Sequence, residues 1–101
     1  MKNMRVLPKK RLKEYGEKYR NAESNLSAWK SHVENSSWEK PLDIKNTCSN
    51  ATIIDGNCVK FDIKGNHYRL IVRVYYDRQI VFIKWFGTHA QYDKINVKEV
   101  C

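Results

Sequence analysis

Near the end of the chain His89 and Tyr92 stand three residues apart, so one helical turn would put an imidazole and a phenol on the same face. An imidazole is the side chain that gives or takes a proton near neutral pH. Arg69 lies upstream in an alternating run, and a guanidinium offers a fixed fork of donors that matches phosphate oxygens. The competing role for Arg69 is structural, as the partner of Asp62 across a hairpin. Lys60, Lys64, His67, Arg73 and Lys84 are spaced so that they can share one side with Arg69. They are candidates for lining the path of a polyanion, or they form a solvated face. Tyr92 can stack on a flat ring or give a proton to an anionic oxygen, or it packs the turn against what lies beneath. Asp62 and Asp93 suit the orientation of cationic neighbours, and Asn66 suits a turn. No Asp, Glu and His cluster points to a metal, and no cofactor is expected. The chemistry these residue types suit is proton transfer beside an anionic centre held by fixed cations.

Three strand-like runs must position them: Cys58 to Lys64, His67 to Tyr76 and Ile80 to Gly87. Gly65-Asn66 and Asp77-Arg78-Gln79 supply hairpin turns, so the runs form an antiparallel meander. Val59, Phe61 and Ile63 alternate with Lys60, Asp62 and Lys64, while Tyr68, Leu70, Val72, Val74 and Tyr76 alternate with His67, Arg69, Ile71, Arg73 and Tyr75. A period of two gives the sheet one apolar face and one open, basic face. Ala51 to Ile54 reads as a further strand, joined through Asp55-Gly56, and Met1 to Leu7 as a short arm or fifth strand.

Two helices precede the sheet. Pro8 opens one from about Lys9 to Tyr19, with Leu12, Tyr15 and Tyr19 as its apolar stripe and Gly16 as a weak point. Asn21 reads as the N-cap of a second through Glu34, carrying Leu26, Trp29 and Val33. Trp38 anchors the connection that follows, and Pro41 to Thr47 reads as a helical turn. The tryptophans, Trp85 included, and the Tyr15/Tyr19 pair read most economically as core and helix packing. Residues 95–101 read as a loose tail or edge strand. The expected fold is α+β, a helical hairpin on one face of an antiparallel sheet of four to five strands.

The chain of 101 residues is expected to be one domain, 1–101, large enough to bury roughly two-thirds of its unfolded surface. Its formal net charge of +8 favours an anionic partner: RNA, DNA, an acidic protein or a membrane surface. No apolar run approaches a membrane span, and the basic start lacks the apolar core of a secretory signal. Three cysteines, Cys48, Cys58 and Cys101, form no zinc spacing, and so sparse and odd a count fits free thiols in a reducing cytoplasm.

Ala28-Trp29, Val59-Lys60-Phe61-Asp62-Ile63, Gly65-Asn66-His67-Tyr68-Arg69-Leu70-Ile71 and Phe86-Gly87-Thr88-His89-Ala90-Gln91-Tyr92-Asp93-Lys94-Ile95 together resemble the HigB family of toxins, within the RelE/ParE superfamily of type II toxin–antitoxin systems. The resemblance covers nearly the whole chain in order. It implies two helices on a twisted antiparallel sheet, and a metal-independent endoribonuclease, an mRNA interferase acting on messages in the ribosomal A site. It implies as partners a cognate antitoxin, HigA-like with a helix-turn-helix domain, and promoter DNA only for the toxin–antitoxin complex. It implies no membrane partner, and a cytoplasmic location is expected. The His89 block falls on the family's "THxxYD", which gives His89, Arg69 and Tyr92 the catalytic roles and Lys60, Lys64, His67, Arg73 and Lys84 RNA binding. The superfamily also holds ParE-type toxins that bind gyrase without cleaving RNA, so a non-catalytic toxin and a small nucleic-acid-binding module stay open as alternatives.

Overall fold

The computed structural model describes residues 2–101. Strand β1, Arg5–Leu7, leads through Pro8 into helix α1, Lys9–Lys18, and a 3-10 turn, Arg20–Ala22, joins it to α2, Glu23–Glu34. Helix α3 spans Pro41–Thr47. Strands β2, Ala51–Ile53, β3, Cys58–Ile63, β4, Tyr68–Tyr75, and β5, Ile80–Thr88, complete the sheet. Two short helices close the chain, α4 at His89–Tyr92 and α5 at Val97–Val100. The sheet order is β1-β5-β4-β3-β2, antiparallel from β2 to β5. The arm does become the fifth strand, but it lies parallel to β5, which makes the sheet mixed.

The alternation puts the apolar set where expected. Val59, Phe61, Ile63, Leu70, Val72 and Val74 are buried beneath Leu12 of α1 and Leu26, Trp29 and Val33 of α2. Trp29 meets the Phe61 ring edge-on at 5.3 Å, and Trp38, fully buried, stacks on it at 6.4 Å. Trp38 is the anchor its setting predicts, and its indole N–H donates to the Thr47 hydroxyl. Gly16 is buried because α2 begins against it, with Glu23 Cγ at 3.3 Å from where a Cβ would stand. Asn21 caps nothing: it lies inside the 3-10 turn, and Ala22 takes the N-cap position without a side-chain bond.

Other differences bear on the site. Lys64 and Gly65 both have left-handed φ, so Lys64 belongs to the turn and leaves the sheet face on which alternation places it. Between β4 and β5 the register slips: Ile71 pairs with Trp85 and Val72 with Ile83, leaving Lys84 as the extra residue of a bulge. The bulge turns Trp85 onto the face shared with Arg69 and sends Phe86 into the core, so Trp85 is not a core residue.

The second face of the sheet is only partly open. Ile71 is fully buried there although it lies outside the main core cluster. Residues 95–101 are no loose tail: α5 ends in Cys101, which is disulfide-bonded to Cys58 of β3, and the Cys101 carbonyl accepts from Arg73 Nη1 at 3.5 Å. The expectation of free thiols therefore holds only for Cys48, which is buried. Burial pushes its thiol up from the usual range. No helix among the described residues is long and apolar enough to cross a membrane.

Candidate active site

Strand register builds the site. Asp62 on β3, Arg69 on β4 and Gly87 on β5 are cross-strand neighbours in one row, with Lys60, Ile71 and Trp85 in the next. Just past β5, Thr88 opens α4 and places His89 at its first position.

Arg69 is the centre. Its side chain is 7% exposed, and every nitrogen has an assigned neighbour. Nη1 donates to the carbonyls of Asn66 and Tyr68 at 3.0 and 3.3 Å. Nη2 donates to Asn66 Oδ1 at 2.6 Å and meets His89 Nδ1 at 2.8 Å. Nε lies 3.3 Å from Asp62 Oδ1, close enough for charge attraction but out of line for a hydrogen bond. Asp62 Oδ1 also lies 3.4 Å from Lys60 Nζ, so it acts as one negative point between two cations. The cross-hairpin pairing with Asp62 and the place beside His89 thus occur together.

The contact fixes a tautomer. A guanidinium can only donate, so Nδ1 of His89 must accept, and the ring proton resides on Nε2. Nε2 in turn lies 3.5 Å from Asp93 Oδ2, one helical turn on. The His89 side chain is about half exposed, so one edge of the ring is held by protein and the rest faces solvent.

Tyr92 occupies the same cluster. Its ring lies 6.2 Å from that of Trp85, with Lys60 Nζ at 5.6 Å and Arg69 Cζ at 5.9 Å from its centroid. Two cations near an electron-rich ring are a favourable arrangement. It leaves Lys60, Arg69, His89 and Tyr92 within one patch.

The remaining sequence candidates lie apart. Lys64 and His67 are exposed in the β3–β4 turn, and His67 reaches the site only through its carbonyl, which accepts from His89 N at 2.9 Å. Arg73 is two rows along β4 from Arg69, over the Tyr75 ring and against Cys101. Lys84 sits at the bulge over Phe82. Of the basic start of α1, Arg11 is committed to the sheet, donating to the Ile83 carbonyl and lying over Phe82. Among the described residues no three His, Cys, Asp or Glu side chains come together to hold a metal ion.

Sequence reasoning missed one residue. Gln91 closes a reciprocal capping box with Thr88, and its Oε1 also accepts from the Tyr19 hydroxyl at 3.0 Å. The signal was present as Thr88-x-x-Gln91, a Thr with a Gln three residues on.

Comparison with known proteins agrees with this architecture. Residues 22–95 match the family model described as HigB_toxin, RelE-like toxic component of a toxin-antitoxin system. The mRNA interferase toxin HigB of Escherichia coli K12 is 28% identical over 93 residues, which cover 89% of this chain and 88% of that protein. The proteins named mRNA interferase HigB from Escherichia coli O157:H7 and Shigella flexneri align with the same identity and coverage. With the family match spanning the second helix, the whole meander and the His89 turn, the chain belongs to the HigB family, the RelE-like toxic components of toxin–antitoxin systems.

Proposed function

We propose that this toxin is a metal-independent mRNA interferase that cuts messages on the ribosome, with His89 as the proton-transfer residue. The observation that carries the reading is the short contact between Arg69 Nη2 and His89 Nδ1, backed by Asp93 on the ring's other nitrogen. The names of the aligned relatives support it.

Cleavage of RNA through its own 2′-OH needs a base for that hydroxyl, stabilisation of the phosphorane's added negative charge, and an acid for the leaving 5′-oxygen. A phosphate oxygen is a stronger acceptor for guanidinium than an imidazole nitrogen. An incoming phosphate that draws Nη2 of Arg69 toward itself frees the Nδ1 lone pair, which then takes the 2′-OH proton. The imidazolium so formed faces Asp93, which stabilises it. Lys60 and Arg69 supply positive charge to the phosphorane, and the Tyr92 phenol gives a proton to the 5′-oxygen, or stacks on a base while water supplies that proton. Lys64, His67, Arg73 and Lys84, more peripheral, contact flanking phosphates. The partners follow the family: a cognate HigA-like helix-turn-helix antitoxin, translating ribosomes, and promoter DNA as the toxin–antitoxin complex, all in the cytoplasm.

The test is cleavage of a defined message on purified translating ribosomes, with and without EDTA. The expected products carry 2′,3′-cyclic phosphate and 5′-OH ends, at the same rate in EDTA, and His89→Ala slows the reaction by roughly 100-fold or more. A His89→Ala protein that cleaves at the wild-type rate would contradict the assignment. A wild type that cleaves nothing here yet arrests growth, as His89→Ala then does too, points to a binding toxin.

A further inference from the structure

The helix that carries His89 and Tyr92 is four residues long and has no buried residue of its own. A single turn does not hold itself in water, so what ties it to the rest of the molecule decides where the imidazole points. Two sets of ties lie in the site itself: the His89 ring on Arg69, and the Tyr92 ring against Trp85, Lys60 and Arg69. Outside it, His89 N donates to the His67 carbonyl at 2.9 Å. The remaining hydrogen bonds converge on Gln91. Its backbone N donates to Thr88 Oγ1 at 3.2 Å, and its Oε1 accepts from Thr88 N at 2.9 Å and from the Tyr19 hydroxyl at 3.0 Å.

Tyr19 belongs to a different part of the fold. It is the C-cap residue of α1, and its ring is fixed by edge contacts to Tyr68 at 5.6 Å and Phe86 at 5.4 Å. One side-chain oxygen of Gln91 therefore joins the end of the first helix to the turn that bears the imidazole. Room for that oxygen is made by Gly87, where a Cβ would stand 2.6 Å from it.

We propose that Gln91 is a positioning residue of this toxin: its side-chain carbonyl, held by Tyr19, keeps the His89 ring on Arg69 in the single tautomer that the proton transfer uses. The inference rests on the reading of His89 given above, and it concerns orientation rather than contact with RNA. Held geometry has a value in rate, because a misplaced proton acceptor spends most of its time out of reach.

The experiment compares wild type, Gln91→Ala, Gln91→Glu and Tyr19→Phe in the full chain. Two readouts are taken: cleavage kinetics on ribosome-bound message, and the side-chain nitrogen NMR signals of His89. Gln91→Ala is expected to lower kcat by roughly 10- to 100-fold with KM within about twofold, and to replace the single-tautomer His89 pattern by an averaged one. Gln91→Glu keeps an acceptor oxygen at the same reach and restores both. Tyr19→Phe removes one oxygen but no ring packing, and falls between. Should Gln91→Ala fail to fold, Tyr19→Phe decides by the same readouts. Wild-type kcat and an unchanged imidazole pattern in the folded variants would overturn the proposal, as would a folded Gln91→Glu no better than Gln91→Ala. If the wild type itself cleaves nothing, the interferase reading fails while the imidazole spectra still decide the positioning role.

Discussion

Arg69 shows how little of a site is settled by residue type alone. Its type and place on the strand suit a phosphate clamp, and its strand position suits a partner for Asp62. The folded chain gives it four hydrogen-bond contacts, one of them to the imidazole, and an ion pair. What the sequence could not contain is the distance of 2.8 Å to His89, because the two residues are 20 apart and meet only after β5 is laid beside β4. Gly87 makes a residue-scale prediction. A Cβ there would stand 2.6 Å from Gln91 Oε1 and 2.7 Å from the Trp85 ring, so Gly87→Ala must displace both. We expect a loss of about 1–3 kcal/mol in stability, read by thermal melting, and a fall in cleavage larger than that loss explains. A variant with wild-type stability would mean that Trp85 and Gln91 move aside freely.

At the scale of elements, alternation carried most of the information. Val59, Phe61 and Ile63 against Lys60 and Asp62 were enough to place β3, and the same logic served β4. β5 was less legible, since Val81, Phe82, Ile83, Trp85 and Phe86 are apolar at both parities and conceal the bulge at Lys84. The chain end was not legible, because α5 owes its place to a tether and not to its own pattern. The turn before β3 gives a pH-dependent prediction. The Asp55 carboxylate accepts from the backbone N–H groups of Asn57 and Cys58, each at 3.0 Å. Those bonds, with help from Arg73 and Lys98, hold its carboxyl below the ordinary 3.8. A lowered carboxyl stabilises the fold above that value and loses its contribution as pH falls through the lowered one. Wild type is therefore expected to melt above Asp55→Ala at neutral pH, and the difference should shrink as pH drops below 3.8. A margin that stays constant into acid would show that the carboxylate form plays no part.

For the whole molecule, charge and the Cys58–Cys101 bridge set the terms. The net charge of +8 pointed to an anionic partner without choosing one. The proposal of RNA among them rests on the Lys60, Arg69, His89 and Tyr92 patch together with the family match. The bridge joins residues 43 apart, a pairing that spacing alone does not reveal. Closing a loop of that length removes unfolded-chain entropy worth about 4 kcal/mol. Reduction, or Cys101→Ser, is expected to lower the denaturation midpoint accordingly and to free the Arg73 side of the sheet. Identical midpoints with and without reductant would show that the bridge does not form in solution.

The proposed function makes the toxicity of this protein RNA cleavage by the His89 patch. The most direct measurement is induced expression in bacteria of wild type and His89→Ala at matched levels, with transcriptome-wide mapping of mRNA 5′ ends. Growth arrest and new 5′-OH ends within translated messages are expected for the wild type, and neither for His89→Ala. Arrest by both proteins, with no new ends in either, would contradict it and leave a toxin that works by binding alone.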